Sequence, residues 1–145
     1  MPNRQVSNVI ASHDFVAVSP RATVREVAKV MKEHHVSAVM VVGRGHKLVG
    51  VCAERDLVNG VVATGLDPDH TAVSAVMTGD PQTIAPDKPF GHALHLMYEG
   101  GFSHVPVVDD DGCPVGIVCA SDAQCMDALE LDRELIQREE ITVIL

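Results

Sequence analysis

The sequence repeats itself at a spacing of 66 residues, and this repeat constrains the fold more than any other feature. Residues 14–57 align with residues 80–123 without a gap, and 11 of the 44 aligned pairs are identical. Most of the other pairs place apolar residues opposite each other, so the match extends to the structural pattern. "GVCAERD" at 50–56 returns as "GIVCASD" at 116–122. The chain of 145 residues therefore fits two small, closely packed copies of one unit.

A second, shorter repeat marks the beginning of each unit. "VSNVI" at 6–10 matches "VSAVM" at 73–77 at a spacing of 67 residues, so one residue is gained or lost before the first strand. The apolar tail "ITVIL" is expected to pack on a neighbouring surface, such as a subunit interface. We expect four segments: a first unit at 6–63, a polar linker at 64–71, a second unit at 72–130, and a C-terminal helix with an apolar tail at 131–145.

Each unit has the pattern of a short strand, a helix, two strands and a second helix. In the first unit Thr23 is of a type that caps helix N-termini, and apolar residues follow it at helical spacing. In the second unit Pro89 stands where a first helical turn tolerates proline. "DDDGC" at 109–113 supplies the Asp and Gly that tight hairpin turns require. The predicted fold class is α/β, in the α+β sense, with two β-α-β-β-α repeats.

Charge and hydropathy exclude several classes of partner. The formal net charge of −9 repels phosphate backbones, and basic residues form no cluster, so no nucleic-acid binding is predicted. No apolar run approaches the roughly 18 residues that span a bilayer, and the N-terminus lacks the apolar stretch of a secretory signal. We expect a cytoplasmic protein that does not bind membranes.

Cysteine, histidine and catalytic motifs give no prediction of an enzyme. The four cysteines form no CxxC pair and are interpreted as small apolar residues in a reducing compartment. His92 and His95 have helical i, i+3 spacing but no accompanying HExxH, so no metal site is predicted. "GGFSHV" at 100–105 lacks the strand-to-helix context of a nucleophile elbow, and no phosphate-binding glycine loop is present. The chain is predicted not to be an enzyme and to require no cofactor.

The repeated aspartates, Asp56 and Asp122, have two interpretations. Each follows a predicted buried strand at the first turn of a helix, where a carboxylate caps free backbone N–H groups. A carboxylate at this place can also accept two hydrogen bonds from a vicinal diol such as ribose. The two roles are compatible.

The repeat, the order of elements, "HVPVV" at 104–108 and the closing "GVCAERD" and "GIVCASD" together resemble the cystathionine-β-synthase (CBS) domain. Two units in tandem resemble a CBS pair, also called a Bateman module, of the small stand-alone bacterial type. The resemblance covers the chain to about residue 130. It implies packing with pseudo-twofold symmetry, clefts between the two repeats that bind AMP, ADP, ATP or a related adenosyl ligand, and a homodimer.

The resemblance also implies roles for particular residues. Asp56 and Asp122 would hold the ribose hydroxyls, and Arg55 and Ser121, which directly precede them, would reach the phosphates. The base would be held by two segments of the second unit, Thr83 and Ile84 in one and His104, Val105 and Pro106 in the other.

The sequence departs from the family pattern at the position three residues after the repeated glycine. The family usually carries Ser or Thr there, whereas this chain has Ala53 and Cys119. Because Ala53 offers no hydrogen-bond donor, we expect the main site in the second unit, around Thr83, His104, Ser121 and Asp122. Asp56 and Arg55 would form a weaker second site or serve the structure.

Three functional hypotheses remain open from the sequence. The first is a regulatory sensor that binds an adenine nucleotide, with AMP or ATP as the first candidates, and signals to an unidentified partner protein. The second is a CBS-fold scaffold for interaction or dimerisation that binds no nucleotide. The third is a variant that responds to metal or redox state through its histidines or cysteines.

Overall fold

The computed structural model describes residues 4–11 and 13–124, which contain both predicted units up to the helix that follows the last strand. The elements are α1 (Val6–Ile10), β1 (Ala17–Val18), α2 (Val24–His34), β2 (Ala38–Val42), β3 (Leu48–Ala53), α3 (Glu54–Leu57), β4 (Thr78–Gly79), α4 (Phe90–Gly100), β5 (His104–Val108) and β6 (Pro114–Cys119). A π-helical turn, Val58–Val62, follows α3, and a 3-10 turn, Val73–Ala75, precedes β4. Residues 121–124 are helical. The mixed α+β class is as predicted.

Each unit forms one sheet, and the sheet of the first unit also includes β4 from the second unit. In the first sheet the strand order is β1-β2-β3-β4, with β1 parallel to β2 and the other neighbours antiparallel. In the second sheet β5 and β6 are antiparallel, and Ile84 makes a parallel bridge to Val107. The short strand that opens the predicted pattern of the second unit is thus reduced to that single bridge. The β2–β3 register shifts at Val41/Val42 and the β5–β6 register shifts at the matching Val107/Val108, so the two hairpins share one irregularity.

Local sequence explains the start and end of α2. The Thr23 hydroxyl accepts a hydrogen bond from the Glu26 N–H at 3.1 Å, and the Glu26 carboxylate accepts one from the Thr23 N–H at 3.2 Å. This reciprocal capping box confirms the predicted N-cap. Val24, Val27 and Met31 are buried along one face, and His35 ends the helix in the left-handed conformation.

The leading segment of each unit packs on the opposite unit. Val6 and Val9 of α1 belong to the buried cluster of the second unit, where they lie with residues of α4, β5 and β6. Val73, at the start of the second unit, is buried in the cluster of the first, with Val76 and Met77 packed against it. The two units therefore complete each other's cores, which the pattern of the sequence did not predict.

The repeated glycines, Gly50 and Gly116, lie where these leading segments cross the sheets. A Cβ atom at Gly116 would come within 2.8 Å of the Ile10 Cδ1 and 3.0 Å of its Cβ. A Cβ atom at Gly50 would meet the side chain of Met77. Because Ile10 and Met77 are the last residues of the matching segments "VSNVI" and "VSAVM", both glycines accept the same close approach.

The units also touch at their hairpin turns. The Leu48 N–H donates to the Gly112 carbonyl at 3.0 Å, and the Cys113 Sγ lies 3.5 Å from the Gly45 carbonyl oxygen. The packing of one unit on the other is therefore held at the turns as well as at the leading segments.

Some expectations fall on residues that the structure does not describe. The predicted C-terminal helix and tail at 131–145, and the last part of the second unit after residue 124, lie outside the described residues. Among the helices at 4–11 and 13–124, none is long and apolar enough to cross a membrane.

Replacing Gly116 with alanine should lower the free energy of unfolding by about 1–3 kcal/mol, because the added methyl group overpacks the contact between Ile10 and β6. Chemical denaturation measures this change. The matched control is Gly91→Ala, because a Cβ atom at Gly91 meets nothing within 4 Å. That control should leave stability unchanged or raise it by up to about 1 kcal/mol, as alanine favours a helix. Equal effects of the two substitutions would contradict the close approach at Gly116.

Candidate ligand site between the two units

The two repeated aspartates make the same backbone contact. Asp56 Oδ2 accepts a hydrogen bond from the Ala53 N–H at 2.8 Å, and Asp122 Oδ2 accepts one from the Cys119 N–H at 2.8 Å. Each carboxylate thereby caps the turn that joins the last strand of its unit to the following helix. The capping role expected from the sequence is present in both units and uses one oxygen of each carboxylate.

The Asp122 carboxylate faces a cleft of about 210 Å³ that is bounded by both units. The first unit contributes the approach to β1 and the end of α2 with the start of β2, whereas the second unit contributes β5, β6 and the turn after β6. The lining residues are His13, Asp14, Phe15, His35, Val36, Ser37, Ala38, His104, Ile117, Cys119, Ser121 and Asp122. We call this cleft the Asp122 cleft.

A second cleft of about 230 Å³ lies at the matching place on the other side of the pair. Its residues are Val51, Thr78, Asp80, Pro81, Gln82, Phe102 and His104. Asp80, Pro81, Phe102 and Val51 occupy the positions that match Asp14, Phe15, Val36 and Ile117 of the Asp122 cleft. We call it the Asp80 cleft.

A groove of about 300 Å³ lies between the turns that follow β3 and β6. Arg55 and Ser121, the two residues that directly precede the repeated aspartates, both line it. The groove shares Ser37, His104, Cys119 and Ser121 with the Asp122 cleft. A ligand in that cleft can therefore extend into this central groove, which is also lined by Ala53, Glu54, Ser103 and Ala120.

The second oxygen of Asp122 is paired across the unit boundary. His13 Nε2 lies 3.0 Å from Asp122 Oδ1, and the two side chains are 45% and 13% exposed, respectively. The position that matches His13 in the second unit is Gly79, which has no side chain to offer to Asp56. A diol that binds Asp122 must therefore share Oδ1 with the imidazole or displace it.

His104 is common to all three spaces. Its Nε2 lies 2.8 Å from the Ser37 hydroxyl of the other unit, and its Nδ1 lies 3.3 Å from the Ser103 hydroxyl. Burial lowers the pKa of His104 below the ordinary 6.5, against the opposing effect of nearby Glu54, Asp122 and Asp56. His104 is therefore a neutral imidazole at pH 7, held between two serine hydroxyls.

Folding should be linked to the protonation of His104. Since the pKa is lowered in the folded state, the unfolded chain takes up a proton first as the pH falls below about 6.5, and the folded state loses stability there. His104→Ala, which copies the matching Ala38, should remove this contribution. Denaturation at about pH 7.5 and about pH 5.5 should therefore show a smaller loss of stability in the variant than in the wild type. Equal losses of stability in the variant and the wild type would show that burial does not lower the pKa of His104.

The structure places the sequence-predicted site residues in several environments. His104, Cys119, Ser121 and Asp122 line one cleft together, and Arg55 faces them across the central groove. Ile84, Val105 and Pro106 are buried, so only their backbone groups could face a ligand. Thr83 is exposed and Asp56 is partly buried, and neither lines any of the three described spaces.

The Asp122 cleft lies between the two units, whereas the residues named from the sequence for its main site all belong to the second unit. The walls opposite Asp122 come from the first unit, because residues 13–16 run from α1, which packs on the second unit, to β1 in the first sheet. Four lining residues, His13, Asp14, Phe15 and Ser37, were not predicted from the sequence. The identities Asp14/Asp80 and Ser37/Ser103 in the repeat were the available signal for two of them.

Cys52 is a buried thiol, and Cys119 is a partly exposed thiol at the Asp122 cleft. Burial raises the pKa of Cys52 to about 12, with a smaller contribution from Asp56, so this thiol is protonated and inert at pH 7. Cys119 lines the Asp122 cleft and contacts the Ser121 hydroxyl. Within the part of the chain that the structure describes, no group of three or more His, Cys, Asp or Glu residues is arranged to hold a metal ion.

Relatives of known structure have the same fold and, in two cases, bound adenosyl compounds. The CBS domain pair of protein MJ0100, in complex with 5′-methylthioadenosine and S-adenosyl-L-methionine, superposes with a TM-score of 0.79 at 26% identity and covers 89% of this chain and 99% of that one. A CBS domain protein from Pyrobaculum aerophilum complexed with AMP gives a TM-score of 0.76 at 27% identity, with 82% and 89% of the two chains covered.

Sequence comparison identifies the family directly. An uncharacterized protein of Methanopyrus kandleri is 34% identical over 113 residues, which are 78% of this chain and 58% of that protein. The chain thus spans little more than half the length of this relative. The family model described as the CBS domain matches two segments, residues 6–63 and 73–123. The chain belongs to the CBS domain family and carries two tandem CBS domains.

Proposed function

We propose that this CBS pair is a regulatory module that binds an adenosyl ligand in the Asp122 cleft and transmits its occupancy to a partner protein. The observation that carries the proposal is the position of Asp122, a largely buried carboxylate that forms one wall of a cleft between the two CBS domains. The AMP and S-adenosylmethionine complexes of the solved relatives support the same class of ligand.

The shape of the site suits a nucleoside with a 5′ extension. The Asp122 cleft alone is smaller than the roughly 300–1,000 Å³ of typical ligand pockets, whereas the cleft and the central groove together fall within that range. Phe15 and Val36 provide an apolar surface for a base at one end. Asp122 can accept hydrogen bonds from the ribose diol, and Ser121 and Arg55 lie in the groove toward which the 5′ substituent would extend.

A ligand at this place can regulate because it contacts both domains. Asp14 and Ser37 belong to the first domain and Asp122 to the second, so the ligand favours whichever domain arrangement brings these residues to their contact distances. A partner that distinguishes the occupied from the empty arrangement is then coupled to ligand binding. We propose a homodimer as the functional form, in the cytoplasm, with no catalytic activity of its own.

A second candidate function, a scaffold without a ligand, has one specific observation in its favour. Both aspartates already have a structural role as caps at 2.8 Å, and Ala53 and Cys119 stand where a hydroxyl would be expected to help a ligand. These features suffice to explain the repeated motif without any ligand.

Thermal denaturation separates the two functions. With adenosine, AMP, ATP or S-adenosylmethionine at about a hundred times its dissociation constant, a true ligand should add about 2.7 kcal/mol to the stability. If none of these compounds moves the melting temperature at millimolar concentration, the regulatory proposal fails and the scaffold function is favoured.

Asp122→Asn should weaken ligand binding by about 10- to 100-fold, because the remaining amide oxygen is still needed for the Cys119 N–H and the charged acceptor for the ribose is lost. Calorimetry measures the affinity, and the melting temperature of the free variant shows that the cap survives. The matched control is Asp56→Asn, which makes the same chemical change at the other cap and should reduce affinity less. The reverse order would move the site to Asp56.

A further inference from the structure

The three ligand spaces are poor in positive charge. Four acidic side chains line them, Asp14 and Asp122 in the first cleft, Asp80 in the second and Glu54 in the central groove. Among the described residues that line these spaces, Arg55 is the only lysine or arginine. This distribution bears on which adenosyl ligand the site accepts.

Acidic side chains provide the permanent charges in the described lining of the Asp122 cleft. It is lined by Asp14 and Asp122 and, within the described chain, by no lysine or arginine. Of its histidines, His104 is neutral because it is buried, and His13 is engaged with Asp122. The third histidine, His35, is the C-cap of α2 and lines the cleft as well. The permanent charge of this lining is thus negative.

The central groove provides one guanidinium and one carboxylate. Arg55 lines it beside Glu54, its neighbour in the sequence. One guanidinium can hold one phosphate group by two hydrogen bonds, but Glu54 opposes any further negative charge. Residues 125–145 carry six acidic and two basic residues, so the remainder of the sequence is acidic as well.

We infer that this module selects adenosyl ligands that carry at most one phosphate group, or a positively charged 5′ substituent, and discriminates against adenosine polyphosphates. The inference rests on the proposed function and narrows its ligand class. Its physical basis is the repulsion between the additional phosphates and the carboxylates that line the cleft and the groove. Space does not exclude a triphosphate, because the groove is continuous with the cleft, so charge is the discriminating property.

Calorimetric titration of the purified chain with adenosine, AMP, ADP, ATP and S-adenosylmethionine tests the inference. ATP should bind at least about tenfold more weakly than AMP, a difference of about 1.4 kcal/mol. S-adenosylmethionine should bind at least as tightly as adenosine, because its sulfonium and ammonium groups meet an acidic lining. The gap between AMP and ATP should narrow as salt is raised from about 0.05 M to about 0.5 M, since screening weakens the repulsion.

Asp14→Asn examines the charge of the cleft without removing the ribose acceptor. Relative to the affinity for adenosine measured on the same variant, this change should strengthen the binding of ATP several-fold and weaken the binding of S-adenosylmethionine. The matched control is Asp87→Asn, which removes the same charge from an exposed residue that lines none of the three spaces. The control should leave the ratio of AMP to ATP affinity as it is in the wild type.

Three results would be decisive against one proposal or the other. If adenosine binds and ATP binds as tightly as AMP or more tightly, charge selection is overturned while the ligand-binding function stands. If Asp14→Asn and Asp87→Asn change the ratio of AMP affinity to ATP affinity equally, the net charge of the protein causes the change and the charge of the cleft does not. If none of the five compounds binds, the proposed function fails and the inference fails with it.

Discussion

The packing of each leading segment over the glycine of the opposite sheet is the contact on which the rest of the structure depends. Ile10 lies on Gly116 and Met77 on Gly50, and a Cβ atom at either glycine would require the side chain that lies on it to shift. Because α1 is held on the second domain while β1 belongs to the first sheet, residues 13–16 must cross the boundary between the domains. The crossing brings His13, Asp14 and Phe15 to Asp122, and the clefts exist because of it.

Much of the fold could be predicted from the sequence because the two units repeat the same order of apolar and polar segments. The capping residue Thr23, the helix that follows it and the order of elements in each unit are local properties, readable from neighbouring residues. The exchange of leading segments could not be predicted in this way, because the apolar pattern of "VSNVI" is compatible with packing on its own sheet and with packing on the other sheet. The site could be predicted only in part for the same reason. Asp122 is identified by its repetition at Asp56, whereas its partner His13 corresponds to Gly79 in the second unit and is therefore not marked by the repeat.

The two domains have similar backbone geometry but carry different side chains at their clefts. The two hairpins share a register shift and the two caps share a hydrogen-bond length, yet most side chains at the clefts differ between matched positions. Four matched pairs carry this asymmetry: His13/Gly79, Ala38/His104, Glu54/Ala120 and Arg55/Ser121. Since Ala38 stands at the position that matches His104, the imidazole that lines all three spaces comes from the second domain alone. The Asp122 cleft and the Asp80 cleft thus occupy equivalent positions in the fold but have chemically different linings.

The exchanged leading segments also bear on how such a pair can arise. One domain on its own would leave its sheet without the segment that covers it, but two identical copies could cover each other through the same crossing. The glycine that admits the partner's segment is already present in both halves, at Gly50 and Gly116, so a symmetric dimer of single domains and the present fused pair would share one interface. Joining the copies through residues 64–71 has a further consequence. In a single chain a substitution alters the side chains of one cleft alone, whereas in a symmetric dimer the same substitution would alter both clefts.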